Sequence, residues 1–242
     1  MVIVSTEVIT AIKKSQKIVV LTGAGISAES GVPTFRGKDG LWRNHRPEEL
    51  ATPSAFQRDP KLVWEWYDWR RNLIKPLSPN EGHKVIARIE HKKIEFQLIT
   101  QNVDGLHQKA GSKKCLELHG NIWKMRCTEE KTVIENLDSY LKTIPPICEC
   151  GAILRPHVVW FGESLDVDVI QSSYQAAQSC DFILVIGTSA VVQPAASLPL
   201  IAKNAGAYVI EVNVEQTSIS NIFDSSFRGK AGEILPLLEK YF

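Results

Sequence analysis

The sequence predicts an α/β protein, a largely parallel sheet with helices on both faces, joined to a smaller second domain. Three observations predict it. Short apolar runs alternate with helix-length amphipathic segments along most of the chain, the pattern of parallel strands linked by helical crossovers. The first of these runs leads into a glycine-rich turn of the kind that faces a dinucleotide. Two long stretches, 36–76 and 121–157, break the alternation, and together they read as the small domain.

Residues 5–15 form a short amphipathic segment with Ser5 or Thr6 as its cap. The run Lys17–Thr22 follows, apolar enough to be buried on both faces. Gly23, Gly25 and Ala28 then match G-x-G-x-x-[G/A], a turn that lets backbone approach a pyrophosphate. Pro33 limits the next helix to about two turns, and Phe35–Arg36 begins a loop over the cofactor. The acidic residue that closes the second strand of an ordinary dehydrogenase about 20 positions on is missing: Trp42–Pro47 is no strand. Further strands are expected at Ile94–Ile99, Cys115–Leu118, Asp181–Ile186 and Ala207–Val212, with helices near 80–91, 166–179, 195–205 and 231–240. The stretch 36–76 holds four tryptophans and an amphipathic segment from Lys61 to Ile74, and 121–157 holds three of the five cysteines.

A net charge of +1 gives no overall attraction to nucleic acid or to an anionic membrane. No apolar run approaches the ~18 residues of a membrane span. With no export signal at the N-terminus, five cysteines read as reduced thiols and point to a cytoplasmic protein, expected to be a monomer.

Polar signatures sit at four expected strand ends. Gln101, Asn102 and Asp104 could hold a carboxamide and a ribose, or form a self-bonded Asn-Asp-Gly turn. His119 closes another strand, as a proton acceptor at neutral pH or as a structural side chain. Gly187-Thr188-Ser189 and Asn213-Val214-Glu215 follow two more strands, where Asn213 and Glu215 could take the adenosine ribose.

Gly23–Arg36, Thr100–His107, Leu118-His119-Gly120, Leu154–Glu163 and Gly187-Thr188-Ser189 together resemble the sirtuins, NAD-dependent protein-lysine deacylases, in family order from about residue 10 to residue 240. The resemblance implies a Rossmann-like large domain (1–35, 77–120 and 158–242) and a small domain of a helical module (36–76) and a zinc module (121–157). It implies that Gly23, Ala24, Gly25, Ser27, Phe35 and Arg36 hold NAD, with Gln101, Asn102, Val103 and Asp104 around nicotinamide and ribose. Gly187, Thr188, Ser189, Asn213, Val214, Glu215 and Ala231 would meet the adenosine half. Catalysis would rest on His119, as general base, and Asn102. Val159, Phe161, Gly162 and Glu163 would flank the channel for an acyl-lysine peptide, which adds as an extra strand. NAD would be consumed, giving free lysine, nicotinamide and 2′-O-acyl-ADP-ribose.

Tyr67 and Arg70, three apart on one helical face, suit a carboxylate, although an amphipathic surface helix would present the same pair. With Ala51 upstream, Tyr-x-x-Arg resembles the sirtuin class that removes succinyl and malonyl groups. The family's two Cys-x-x-Cys zinc knuckles are altered: Cys127-Thr-Glu-Glu130 has glutamate at the second cysteine, and Cys148-Glu-Cys150 is one residue short. Cys127, Cys148 and Cys150 with a carboxylate or water could still bind zinc, or the module could fold without metal. The alternatives to deacylation are ADP-ribosyl transfer on the same fold and a non-catalytic NAD sensor.

Overall fold

The structure, a computed structural model, describes residues 3–34, 47–138 and 140–242. A six-stranded parallel sheet forms its centre, built from β1 (Lys17–Thr22), β2 (Glu95–Thr100), β3 (Cys115–Glu117), β7 (Phe182–Ile186), β8 (Tyr208–Asn213) and β9 (Ser225–Arg228). Their order is β3-β2-β1-β7-β8-β9. Without the strands of the second sheet, this is the 3-2-1-4-5-6 order of dinucleotide-binding folds. The chain moves outward one way from β1 and the other way from β7, so a crevice opens where their carboxyl ends diverge.

Alternation along β1 explains why its sequence is apolar throughout. Ile18 and Val20 pack with α1 (Thr6–Lys14), α6 (Glu81–Lys92) and α10 (Ala231–Glu239), whereas Val19 and Leu21 pack with α8 (Val167–Ser179) and α9 (Leu198–Asn204). Ser5 caps α1 by accepting from the Val8 amide.

The second sheet is antiparallel, ordered β5-β4-β6, from β4 (Gly120–Cys127), β5 (Val133–Glu135) and β6 (Leu154–Val158). It shares a third core with α4 (Pro53–Arg58) and α5 (Pro60–Ile74), in which Trp64, Tyr67, Trp123 and Trp160 are all buried. The Trp64 indole donates to the Leu154 carbonyl at 2.7 Å, pinning α5 to β6. A short helix, α3 (Pro47–Leu50), precedes α4. No helix among the described residues is long and apolar enough to cross a membrane.

Four details differ from the sequence expectations. The helix after the glycine turn, α2 (Ala24–Ala28), ends sooner than two turns, and Gly31 at φ +91° leads the chain away before Pro33. The expected helix at 195–205 opens as a 3₁₀ turn over Ala195–Ser197. Strand β9 was not expected, because Phe227 alone among its four residues is buried. Segment 121–157 contains an ordered sheet instead of mixed short pieces. The expected loop at Phe35–Arg36 and most of Trp42–Pro47 lie outside the described residues.

Candidate active site

At the crevice, two turns interlock backbone to backbone. The Gly23 amide donates to the Ile186 carbonyl at 3.0 Å and the Gly25 amide to the Gly187 carbonyl at 2.8 Å. A Cβ on Gly25 would stand 2.7 Å from the Gly187 Cα, and one on Gly187, at φ +58°, would stand 2.6 Å from the Ile26 nitrogen. These glycines are thus required by the meeting of the β1 and β7 loops, apart from any pyrophosphate.

The segment after β2 reaches across both turns. The Asn102 side-chain amide donates to the Gly23 carbonyl and to the Ser27 hydroxyl, each at 3.1 Å. Gln101 donates to the Thr188 hydroxyl at 3.0 Å, and Asn213, at the end of β8, donates to the Thr188 carbonyl at 2.8 Å. Asp104 accepts from the Leu106 amide at 2.8 Å, and burial pushes its carboxyl above the usual range. The polar ends of β1, β2, β7 and β8 are therefore joined in one hydrogen-bonded network along the crevice.

His119 follows β3, with Nδ1 3.0 Å from the Gln101 carbonyl oxygen. A carbonyl only accepts, so in the neutral ring Nδ1 carries the hydrogen and Nε2 keeps its lone pair. Burial lowers the pKa of His119, with the Gln101 bond opposing it. Gly120 has φ +78°, and a Cβ there would lie 2.2 Å from the His157 carbonyl oxygen, so the turn that aims His119 needs glycine.

A narrow cavity opens beside Asn102, lined by Ala24, Ser27, Val32, Pro33, Arg70, Asn102, Val103 and Asp104. Arg70 is 4% exposed, and its guanidinium carbon lies 4.9 Å from the centre of the Trp66 ring and 5.9 Å from that of Tyr67. Its pKa is lowered by burial and supported by Tyr67 and Asp104. Tyr67 is buried too, and its hydroxyl accepts from the Trp160 indole at 2.9 Å. Tyr67 and Arg70 thus face the interior, not solvent. Buried Ala51 accepts from the Phe161 amide at 2.9 Å, joining it to the Val159–Glu163 segment. Val159 is half-buried, Phe161 is 52% exposed, and Gly162 turns the chain at φ +87°. Both Glu163 oxygens bond to Arg155, at 2.5 and 2.9 Å, and one also accepts from the Trp160 amide at 2.9 Å.

The other expected residues are more peripheral. Ser189, Val214 and Glu215 are exposed at the β7 and β8 ends. Ala231 is buried at the start of α10, with its Cβ near Gly82. Phe35 and Arg36 lie outside the described residues.

Sequence reasoning missed a buried polar layer beneath Asn102. Ser27 is 3.3 Å from His83 Nε2, Thr22 is 3.0 Å from His107 Nε2 and 2.8 Å from the Thr100 hydroxyl, and the two imidazoles lie 4.8 Å apart. The signal available was a threonine closing each of two apolar runs and a histidine on an otherwise apolar helix face.

Away from the crevice, donor atoms of Cys127, Glu130, Cys148 and Cys150 all lie within 4.8 Å of one another. The Cys127 and Cys150 sulfurs are 3.5 Å apart. Tetrahedral zinc with Zn–S of about 2.3 Å puts its sulfurs about 3.8 Å apart. Three thiols and one carboxylate therefore fit structural zinc, with Glu130 as the fourth ligand. A roomier cleft of about 920 Å³ adjoins this cluster, between α4–α5 and the second sheet, and holds none of the expected NAD residues.

Residues 23–194 match the family model described as the Sir2 family. The NAD-dependent protein deacylase of Aquifex aeolicus is 59% identical over 225 residues, covering 93% of this chain and 94% of that protein. A crystal structure of a Sir2 homologue in complex with NAD has TM-score 0.93 at 48% identity, covering 99% of this chain and 94% of that one. A Sir2 structure with a p53 peptide and NAD+ has TM-score 0.87 at 30% identity, covering 98% of each chain. This chain belongs to the Sir2 family, the sirtuins.

Proposed function

We propose that this protein removes acyl groups from protein lysines at the expense of NAD, and that it prefers short acidic acyl groups such as succinyl and malonyl. The supporting observation is that one segment, Gln101–Asp104, borders both parts of the chemistry. Its first carbonyl orients His119, and Asn102 and Asp104 line the cavity into which Arg70 opens. Relatives named NAD-dependent protein deacylases and a homologue solved with NAD support the first half of this reading.

NAD supplies an electrophilic ribose carbon once nicotinamide has left. Around it, Asn102 is held by Gly23 and Ser27, and Asp104 stands against Arg70. His119 accepts a proton at Nε2 while the Gln101 carbonyl fixes the opposite nitrogen, which keeps the ring in the basic tautomer. Asn213 and Thr188 lie where the adenosine half would extend. The acyl-lysine enters past Val159, Phe161 and Gly162, with Ala51 leaving space for the acyl chain. Zinc at Cys127, Glu130, Cys148 and Cys150 would be structural.

Arg70 carries the acidic preference. A carboxylate can take two parallel donors from a guanidinium, and Arg70 lines the cavity beside Asn102. The test is turnover of matched acetyl-, succinyl- and malonyl-lysine peptides with NAD, read as nicotinamide release, for the wild type and Arg70→Met. Desuccinylation should fall about ten- to a hundred-fold while deacetylation survives. Equal loss of both activities refutes the acidic preference, and no nicotinamide release from any peptide refutes deacylation.

A further inference from the structure

We propose that Trp160 determines acyl specificity by fixing the direction of the Tyr67 hydroxyl, and that Arg155 and Glu163 are positioning residues that hold Trp160 for this. The inference rests on the acidic-acyl reading and deepens it.

Tyr67 and Trp160 are 1% and 3% exposed, so water does not compete for their polar atoms. An indole N–H can only donate, so in the 2.9 Å contact the phenol oxygen is the acceptor. A phenolic hydrogen prefers the plane of its ring, where it has two positions. The indole takes the lone pair on one side and leaves the hydrogen to the other. The Tyr67 hydrogen is therefore turned away from the indole, and Arg70, which lines the cavity beside Asn102, lies one turn along the same face of α5. Two neighbouring donors match a carboxylate. A phenol free to turn would offer it a lone pair part of the time.

The indole is itself clamped. The Arg155 guanidinium carbon stacks 3.6 Å from the centre of the Trp160 ring, and the Phe56 ring centre lies 5.2 Å away. Arg155 is paired through both terminal nitrogens with Glu163 and donates to the Val158 carbonyl at 3.1 Å. Glu163 in turn accepts from the Trp160 backbone amide. With both carboxylate oxygens so used, Glu163 acts on the acyl end through Trp160, not by touching the substrate.

Trp160→Phe keeps an aromatic ring and removes the donor. The KM for succinyl peptide should rise about fivefold, the worth of one ordinary hydrogen bond, with its kcat and the acetyl KM within twofold of wild type. A merely structural role would move both substrates alike, and a double-mutant comparison makes the same distinction. In a Tyr67→Phe background, Trp160→Phe should leave the succinyl-to-acetyl ratio where Tyr67→Phe alone puts it. Glu163→Gln, which weakens the clamp without emptying the core, should raise the succinyl KM in the same sense by a smaller factor, and it stands in if Trp160→Phe fails to fold. Arg70→Met is run alongside. If it lowers the succinyl-to-acetyl ratio but Trp160→Phe, or Glu163→Gln in its place, does not, the Trp160 role is overturned and the acidic-acyl reading stands. If Arg70→Met leaves the ratio unchanged, both are overturned together.

Discussion

Acid should destabilise this protein well above the pH at which its carboxylates protonate, because two imidazoles are buried under the crevice. His83 and His107 are 0% and 1% exposed, and burial pushes the first down to about 4 and the second well below its ordinary value. Each folded value lies below the unfolded 6.5, so the unfolded chain takes up protons first. The stabilisation is present in full above pH 6.5 and is lost as the pH falls toward the folded value. At about 1.36 kcal/mol for each factor of ten, moving from pH 7 to pH 5 costs about 2 kcal/mol through His83 alone, and His107 adds to the loss in the same direction. That is a large share of the roughly 5–15 kcal/mol typical of a folded protein. Asp104 works the other way: its raised carboxyl binds a proton first in the folded state and offsets part of the loss at the acid end. The assay is urea unfolding at fixed temperature and ionic strength, at half-unit steps from pH 7.5 to 5. His83→Phe should lower the proton uptake on unfolding near pH 5.5 by about one. A wild-type stability that is flat across this range, or a His83→Phe slope equal to wild type, refutes the reasoning.

Three further outcomes follow from the geometry. Gly25→Ala drives a Cβ to 2.7 Å from backbone of the facing turn and should cost roughly 1–3 kcal/mol of stability, with NAD affinity falling in titration calorimetry. Trp64→Phe leaves the buried Leu154 carbonyl without its donor and should cost roughly 1–3 kcal/mol in denaturant unfolding. Protein purified without chelators should hold about one zinc per chain by elemental analysis, and Cys148→Ser and Glu130→Ala should each lower that content and the melting temperature.

The central sheet was legible because its strands are covered on both faces. A run such as Phe182–Ile186, buried at every position, has no other reading in so short a segment. β9 and β5 escaped for the opposite reason: with one or none of their residues buried, partner strands define them rather than side-chain pattern. The Asn102 and His119 neighbourhoods were legible as polar interruptions at strand ends. Glu130 was visible as a carboxylate standing where a thiol was expected, and the structure brings it to the three cysteines. The Tyr67–Trp160 bond spans 93 residues of sequence, and no periodicity reports a partner so far away. Likewise, no local pattern announces that Glu163 pairs with Arg155 on β6.

The pin between α5 and β6 makes the cysteine-bearing ribbon a brace for the helix that carries Tyr67 and Arg70. Stiffness at one end is thereby lent to the other. A change at the ribbon's tip is therefore carried to α5 through the packed side chains between them.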